Sequence, residues 1–205
     1  MLSACASYDG DMTSAPTPLP VAGLRSSWLG PVLRAVPALV VGLTITFTAN
    51  HSPALGLSML GAFGFATAVT LAISCLLLGV GEPLRALHGG LAIVAGVVGV
   101  LAFVVLIVMG AELAMLLLLI GGYAVLAGGL ELVWGIRHRG RNSFARDAVI
   151  VGVATLALAI VLALVGDPVS AVGFFGAYAV MLAIFLLIAG FSLKWSTPVK
   201  ENIAS

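Results

Sequence analysis

Charged side chains are scarce in this chain: 205 residues hold 9 Lys and Arg and 8 Asp and Glu, 8% in all. Soluble domains carry roughly 25% charged residues, so most of this surface must face something other than water. The balance of +1, with no basic stripe and no zinc-ligand spacing, excludes a nucleic-acid binder. Ser, His or Cys nucleophile arrangements are missing, as are a phosphate-cradling glycine loop and its lysine. The expectation is therefore no enzyme, no catalytic residue, no metal and no cofactor. Cysteine is nearly absent too. Cys5 lies in a polar tail and Cys75 in an apolar helix, so no disulfide is expected, and Cys75 reads as a small packing residue. Leu2-Ser3-Ala4-Cys5 looks like a lipoprotein cleavage box, but it lacks the basic and apolar regions a signal peptide puts before it, and lipidation is not expected.

What the chain has in abundance is apolar length. Hydrophobic residues make up 61%, and the mean hydropathy is +1.23. Charge-free runs extend over Ala35–Gly81, Ala86–Ala111, Leu113–Leu130, Ala148–Gly166 and Pro168–Leu193. A helix of about 18 or more such residues crosses a ~30 Å hydrocarbon layer. The first run is too long for one crossing, and Asn50-His51-Ser52-Pro53 splits it. The reading is an all-α polytopic membrane protein with six transmembrane helices. Their expected bounds are Pro31–Ala49, Ala54–Val80, Ala86–Met109, Leu113–Ile136, Ala148–Val165 and Val169–Leu193. Residues 1–28 read as a disordered tail, with Trp28 as an interfacial anchor. The transmembrane domain covers 29–195, and 196–205 form a second tail.

All nine basic residues fall on one side of this topology. Arg25 and Arg34 precede or open helix 1, and Arg85 lies between helices 2 and 3. Arg137, Arg139, Arg141 and Arg146 lie between helices 4 and 5, and Lys194 and Lys200 follow helix 6. The three opposite links hold none. The positive-inside rule then puts both termini in the cytoplasm.

Three pairs of helices share one layout, over about 32–80, 85–137 and 146–194. Arg34, Arg85 and Arg146 each open a first helix. The second helices carry Gly61-Ala62-Phe63, Gly121-Gly122-Tyr123 and Gly176-Ala177-Tyr178, each with a small residue seven positions after its first glycine: Ala68, Gly128 and Ala183. The pattern predicts three tandem hairpins inserted the same way up. Close helix approach in lipid depends on small residues, and the expected packing positions are Gly96, Gly128, Gly173 and Ala177. Contacts inside one bundle are the preferred reading, and an oligomer interface the alternative.

The order of a basic residue, a glycine-rich apolar helix, a short link and Gly-x-Tyr in an Ala/Leu-rich helix resembles the HdeD family of acid-resistance membrane proteins. The best matches are Gly121-Gly122-Tyr123 through Gly128-Gly129 to Arg137-His138-Arg139, and Asp167-Pro168 through Gly176-Ala177-Tyr178. The first repeat departs from the pattern with Phe63. The resemblance implies six helices, a bacterial inner-membrane location and an association with acid stress. It supplies no active site.

Glu131 is the chief candidate for chemistry. It lies about 9 Å inside the end of helix 4, at 1.5 Å rise per residue, where an ionised carboxylate must be neutralised, paired or solvated. It reads either as a proton-titrating or substrate-pairing group, or as the structural partner of Arg85, Arg137 or another cation. His51, Glu112 and Asp167 fall on the outer links without metal-ligand spacing, and Asp167 fits a helix N-cap. Arg137, Arg139, Arg141 and Arg146 suit contact with anionic lipid headgroups or topology determination alone. Two functions follow: a non-enzymatic scaffold, stress-related or accessory subunit of a membrane assembly, or a small transporter or proton-coupled channel using Glu131. The expected partners are the bilayer and other membrane subunits or further copies of the chain.

Overall fold

The computed structural model describes residues 28–78, 81–142 and 144–195. The two tails, with Cys5, Arg25 and Lys200, lie outside them. Among the described residues all regular structure is helical, in six long segments: α1 (Leu29–Phe47), α2 (Pro53–Leu77), α3 (Pro83–Val104), α4 (Leu113–Arg137), α5 (Ala145–Leu164) and α6 (Pro168–Trp195). A π-helical turn, Val105–Met109, prolongs α3. Each segment is long and apolar enough to cross a membrane, and at most half of any span is buried inside the bundle. Phe47, Ile107 and Leu164 are each at least 80% exposed. Helices apolar on every side, with only one side packed on protein, require a second apolar phase. The chain is an integral multi-pass membrane protein.

Local chemistry sets the ends. Pro53, Pro83 and Pro168 occupy first-turn positions, where a missing amide costs nothing. Ser52 accepts a hydrogen bond from the Leu55 amide at 3.3 Å, capping α2. The π turn closes at Gly110, whose φ of +86° is open to glycine at no steric cost. Two starts differ from expectation: α3 begins at Pro83 and α5 at Ala145, so Arg85, Arg146 and Asp147 lie in first helical turns rather than in links. Charge-free runs mark the hydrocarbon width, and helices extend beyond it into the polar interface.

Asp167 caps α6, its Oδ1 accepting from the Ser170 amide at 2.8 Å. These bonds hold its carboxyl below the ordinary value of 3.8. A depressed folded pKa contributes stability that is present above the unfolded value and lost as pH falls through the folded one. Asp167→Ala should therefore destabilise the protein at neutral pH, with the difference from wild type vanishing in strong acid. Unfolding midpoints across a pH series check this.

Each helix packs against the next, and α6 returns to α1. The closest seams are α2/α3, α4/α5 and α6/α1, so the tightest pairs are not the expected hairpins α1–α2, α3–α4 and α5–α6. Glycines permit these seams. Gly64 meets Gly99, Gly128 meets Gly152, and Gly42 meets the backbone at Gly176 and Val180. α2, α4 and α6 also touch one another across the middle. There Phe63 packs edge-on against Tyr123 and Phe175, at 5.7 and 5.8 Å between centroids.

Of the four expected packing positions, Gly128 lies in a seam and Gly96 faces Ala68 across 3.4 Å from an ideal Cβ. For Gly173 and Ala177 the expected packing inside the bundle is corrected, and the oligomer alternative is untouched. Nothing lies within 4 Å of a Cβ placed on Gly173, and Ala177 is exposed. The buried small face of α6 runs instead through Ala171, Gly176, Ala179, Ala183 and Gly190.

Candidate functional site

The interior polarity lies toward the end of the bundle that carries the arginines. Arg34, about 7.5 Å along α1 from Leu29 at 1.5 Å per residue, turns inward and forms an ion pair with Glu131 of α4. Glu131 is 1% exposed. Its partner is thus Arg34 and neither Arg85 nor Arg137. Of the three arginines that open the repeats, Arg34 alone makes such a pair among the described residues; Arg146 is exposed. In a low-dielectric interior each charge requires the other, because an unpaired buried charge costs several kcal/mol.

The pair forms the floor of a cavity of about 120 Å³. All six helices contribute to its wall, which is mainly leucine and other apolar side chains. The polar exceptions are Arg34, Ser74, His88, Glu131 and Asp147. Outside the ion pair, Glu131 Oε2, Arg34 Nε and His88 Nδ1 are buried without a hydrogen-bond partner. Buried polar groups are normally satisfied, so these three lining residues keep hydrogen-bonding capacity that the protein itself does not fill.

Deeper along the axis, polarity thins. The Tyr178 hydroxyl and Thr155 Oγ1 lie 2.7 Å apart, and Thr155 donates to the Val151 carbonyl at 2.7 Å. The Tyr178 hydroxyl must then donate to Thr155. Tyr123 and Tyr178 are both within electrostatic reach of Arg34. Beyond the aromatic layer, Ile45, Leu57, Leu60, Leu116, Ile120 and Val172 fill the outer half, each at most 1% exposed. The cavity is a vestibule closed at its inner end.

Neighbouring contacts brace this end. Trp134 Nε1 donates to the Pro83 carbonyl at 3.1 Å, tying α4 to the start of α3, and its ring stacks on His138 at 4.5 Å. Trp28, expected as a membrane anchor, lies under the Lys194 ammonium at 4.8 Å, which joins the ends of α1 and α6. Cys75 is a free thiol whose Sγ approaches the Arg85 carbonyl at 3.6 Å. Arg137, Arg139, Arg141 and Arg146 are exposed around the same end. At the opposite links His51, Glu112 and Asp167 form no metal-binding group among the described residues.

Sequence reasoning singled out Glu131 but missed His88 and Asp147, and it read Arg34 as a topology signal and a repeat marker without naming it as the partner of Glu131. His88 sits three residues after Arg85 and Asp147 one after Arg146. Polar groups just inside helix starts were the available signal. The chain matches no protein-family model, no curated protein and no solved structure.

Proposed function

We propose that this protein is a compact transporter in which a small solute or a proton reaches Glu131 through the vestibule. One observation carries the reading: a buried Arg34–Glu131 pair on the lining of a cavity walled by all six helices, with polar atoms left unpartnered. Ionisable residues inside membrane spans mark solute and proton pathways, and a pocket with apolar walls and a few convergent polar groups is the usual form of a ligand site. The filled outer half fits a state closed on that side, and movement of the aromatic layer would open it. The positive-inside rule supports a vestibule facing the cytoplasm, and the resemblance to the HdeD pattern supports a bacterial inner membrane and a link to acid stress.

Proteoliposome flux tests the reading. Glu131→Gln keeps the shape of the side chain and a hydrogen-bond acceptor for Arg34 while removing the carboxylate. It should lower proton-coupled flux by about a hundred-fold or more, the usual scale for removing a general acid–base group. Flux that survives unchanged removes Glu131 from the mechanism.

A non-enzymatic scaffold or accessory subunit is the second reading, supported by the dense outer half, which leaves little to rearrange. Recovery of a fixed set of membrane proteins after gentle extraction from the native membrane, with no flux, would favour it.

A further inference from the structure

The unpaired polar atoms of the vestibule differ in kind. Glu131 Oε2 is buried and accepts only, and the Asp147 carboxylate has no ion pair among the described residues. Arg34 Nε donates, and His88 Nδ1 does either according to tautomer. Acceptors therefore exceed donors. The formal charges agree. Arg34 cancels Glu131, His88 in its neutral form adds nothing, and Asp147 leaves the lining at −1. Arg146, the preceding residue, acts on Asp147 from outside the lining; Arg137, Arg139 and Arg141 are exposed, where salt screens charge over about 8 Å. The walls exclude a bare metal ion, which needs several convergent oxygen or nitrogen ligands; no group of three His, Cys, Asp or Glu is placed to supply them among the described residues. Leu77, Leu84, Leu87 and Leu186 instead offer apolar surface beside the two carboxylates.

We infer that the vestibule binds a small organic ammonium ion with an apolar tail. The ammonium group donates to Asp147 and Glu131, and the tail lies along the leucines. Three donors on one cationic head match the surplus of acceptors, and its charge neutralises Asp147. Asp147 lies about 3 Å along α5 from its first residue, at 1.5 Å per residue, so it meets the ligand before the deeper Glu131. This inference names the substrate class of the proposed transporter and rests on the vestibule being open to water.

The test uses the full-length chain in lipid nanodiscs and three probes that share one tail: hexylammonium, hexanol and hexanoate. Calorimetric titration should give hexylammonium at least about ten-fold tighter binding than either of the others, a decade corresponding to about 1.4 kcal/mol. Asp147→Asn should abolish that preference, and Asp147→Glu should retain it. Equal binding of the three probes, a preference for hexanoate, or a preference unchanged in Asp147→Asn would overturn the ammonium assignment. In a chain with Cys5 and Cys75 replaced by serine, Leu84→Cys should react with a membrane-impermeant thiol reagent, and hexylammonium should slow that reaction. An unreactive Leu84→Cys would overturn the open vestibule itself, and with it both the proposed function and this inference. A reactive one without ammonium preference would overturn this inference alone.

Discussion

Glu131→Leu should be the most damaging single substitution in the molecule, lowering stability by about 3–5 kcal/mol, the range for removing one partner of a buried ion pair. The reason lies in what remains. Arg34 cannot shed its proton within a protein, so the variant keeps a cation inside the bundle with no counter-charge. Arg34→Leu should cost less, because the surviving carboxylic acid can take up a proton and become neutral. The double variant Arg34→Leu/Glu131→Leu should recover most of the loss, since apolar side chains of similar volume replace a buried pair at little net cost. Unfolding midpoints in mixed detergent micelles would give the order wild type, then double variant, then Arg34→Leu, then Glu131→Leu. If Glu131→Leu unfolds with the wild type, the two charges do not depend on each other and the floor of the vestibule is misassigned.

The membrane spans were legible because charge is excluded from hydrocarbon, and an excluded feature leaves long readable gaps. The helix starts were less so. Arg85 and Asp147 interrupt the apolar runs yet belong to first turns, where water and headgroups are within reach. Glu131 stood out by its isolation inside such a run. Its partner did not, since Arg34 lies on another helix far along the chain and no local spacing ties them. His88 passed unseen because a neutral imidazole does not break a charge-free run. The small-residue faces show the same limit from another side. Gly173 and Ala177 have the right spacing for close packing, but α6 is apolar all round, so no periodicity separates its inward side from its lipid side. The Gly176–Ala183 face, with the same residue types, is the one the fold buries.

That distinction gives the second large effect, in the three close seams. A Cβ on Gly64 would lie 2.6 Å from the Ala95 carbonyl oxygen, and one on Gly42 2.8 Å from the Val180 amide. On Gly152 it would lie 2.6 Å from the amide of Leu132, the residue after Glu131. In every case the obstacle is the backbone of the facing helix, which cannot swing aside as a side chain can. Alanine at each site must push two helices apart, at about 1–3 kcal/mol apiece, the usual cost of overpacking. Gly122→Ala and Gly173→Ala provide the contrast. Both positions have nothing within 4 Å of the added methyl, and alanine favours the helix by about 0.8–1 kcal/mol over glycine, so both should be neutral or stabilising. Gly152→Ala should do more than loosen α4/α5. Displacing the backbone at Leu132 also moves Glu131 away from Arg34, so this variant alone among the three should weaken both the seam and the ion pair. Its loss should shrink when it is combined with Arg34→Leu/Glu131→Leu, because neighbouring effects are not additive, whereas Gly64→Ala should add to that background in full. Equal additivity for Gly64→Ala and Gly152→Ala would mean that the α4/α5 seam does not set the position of Glu131.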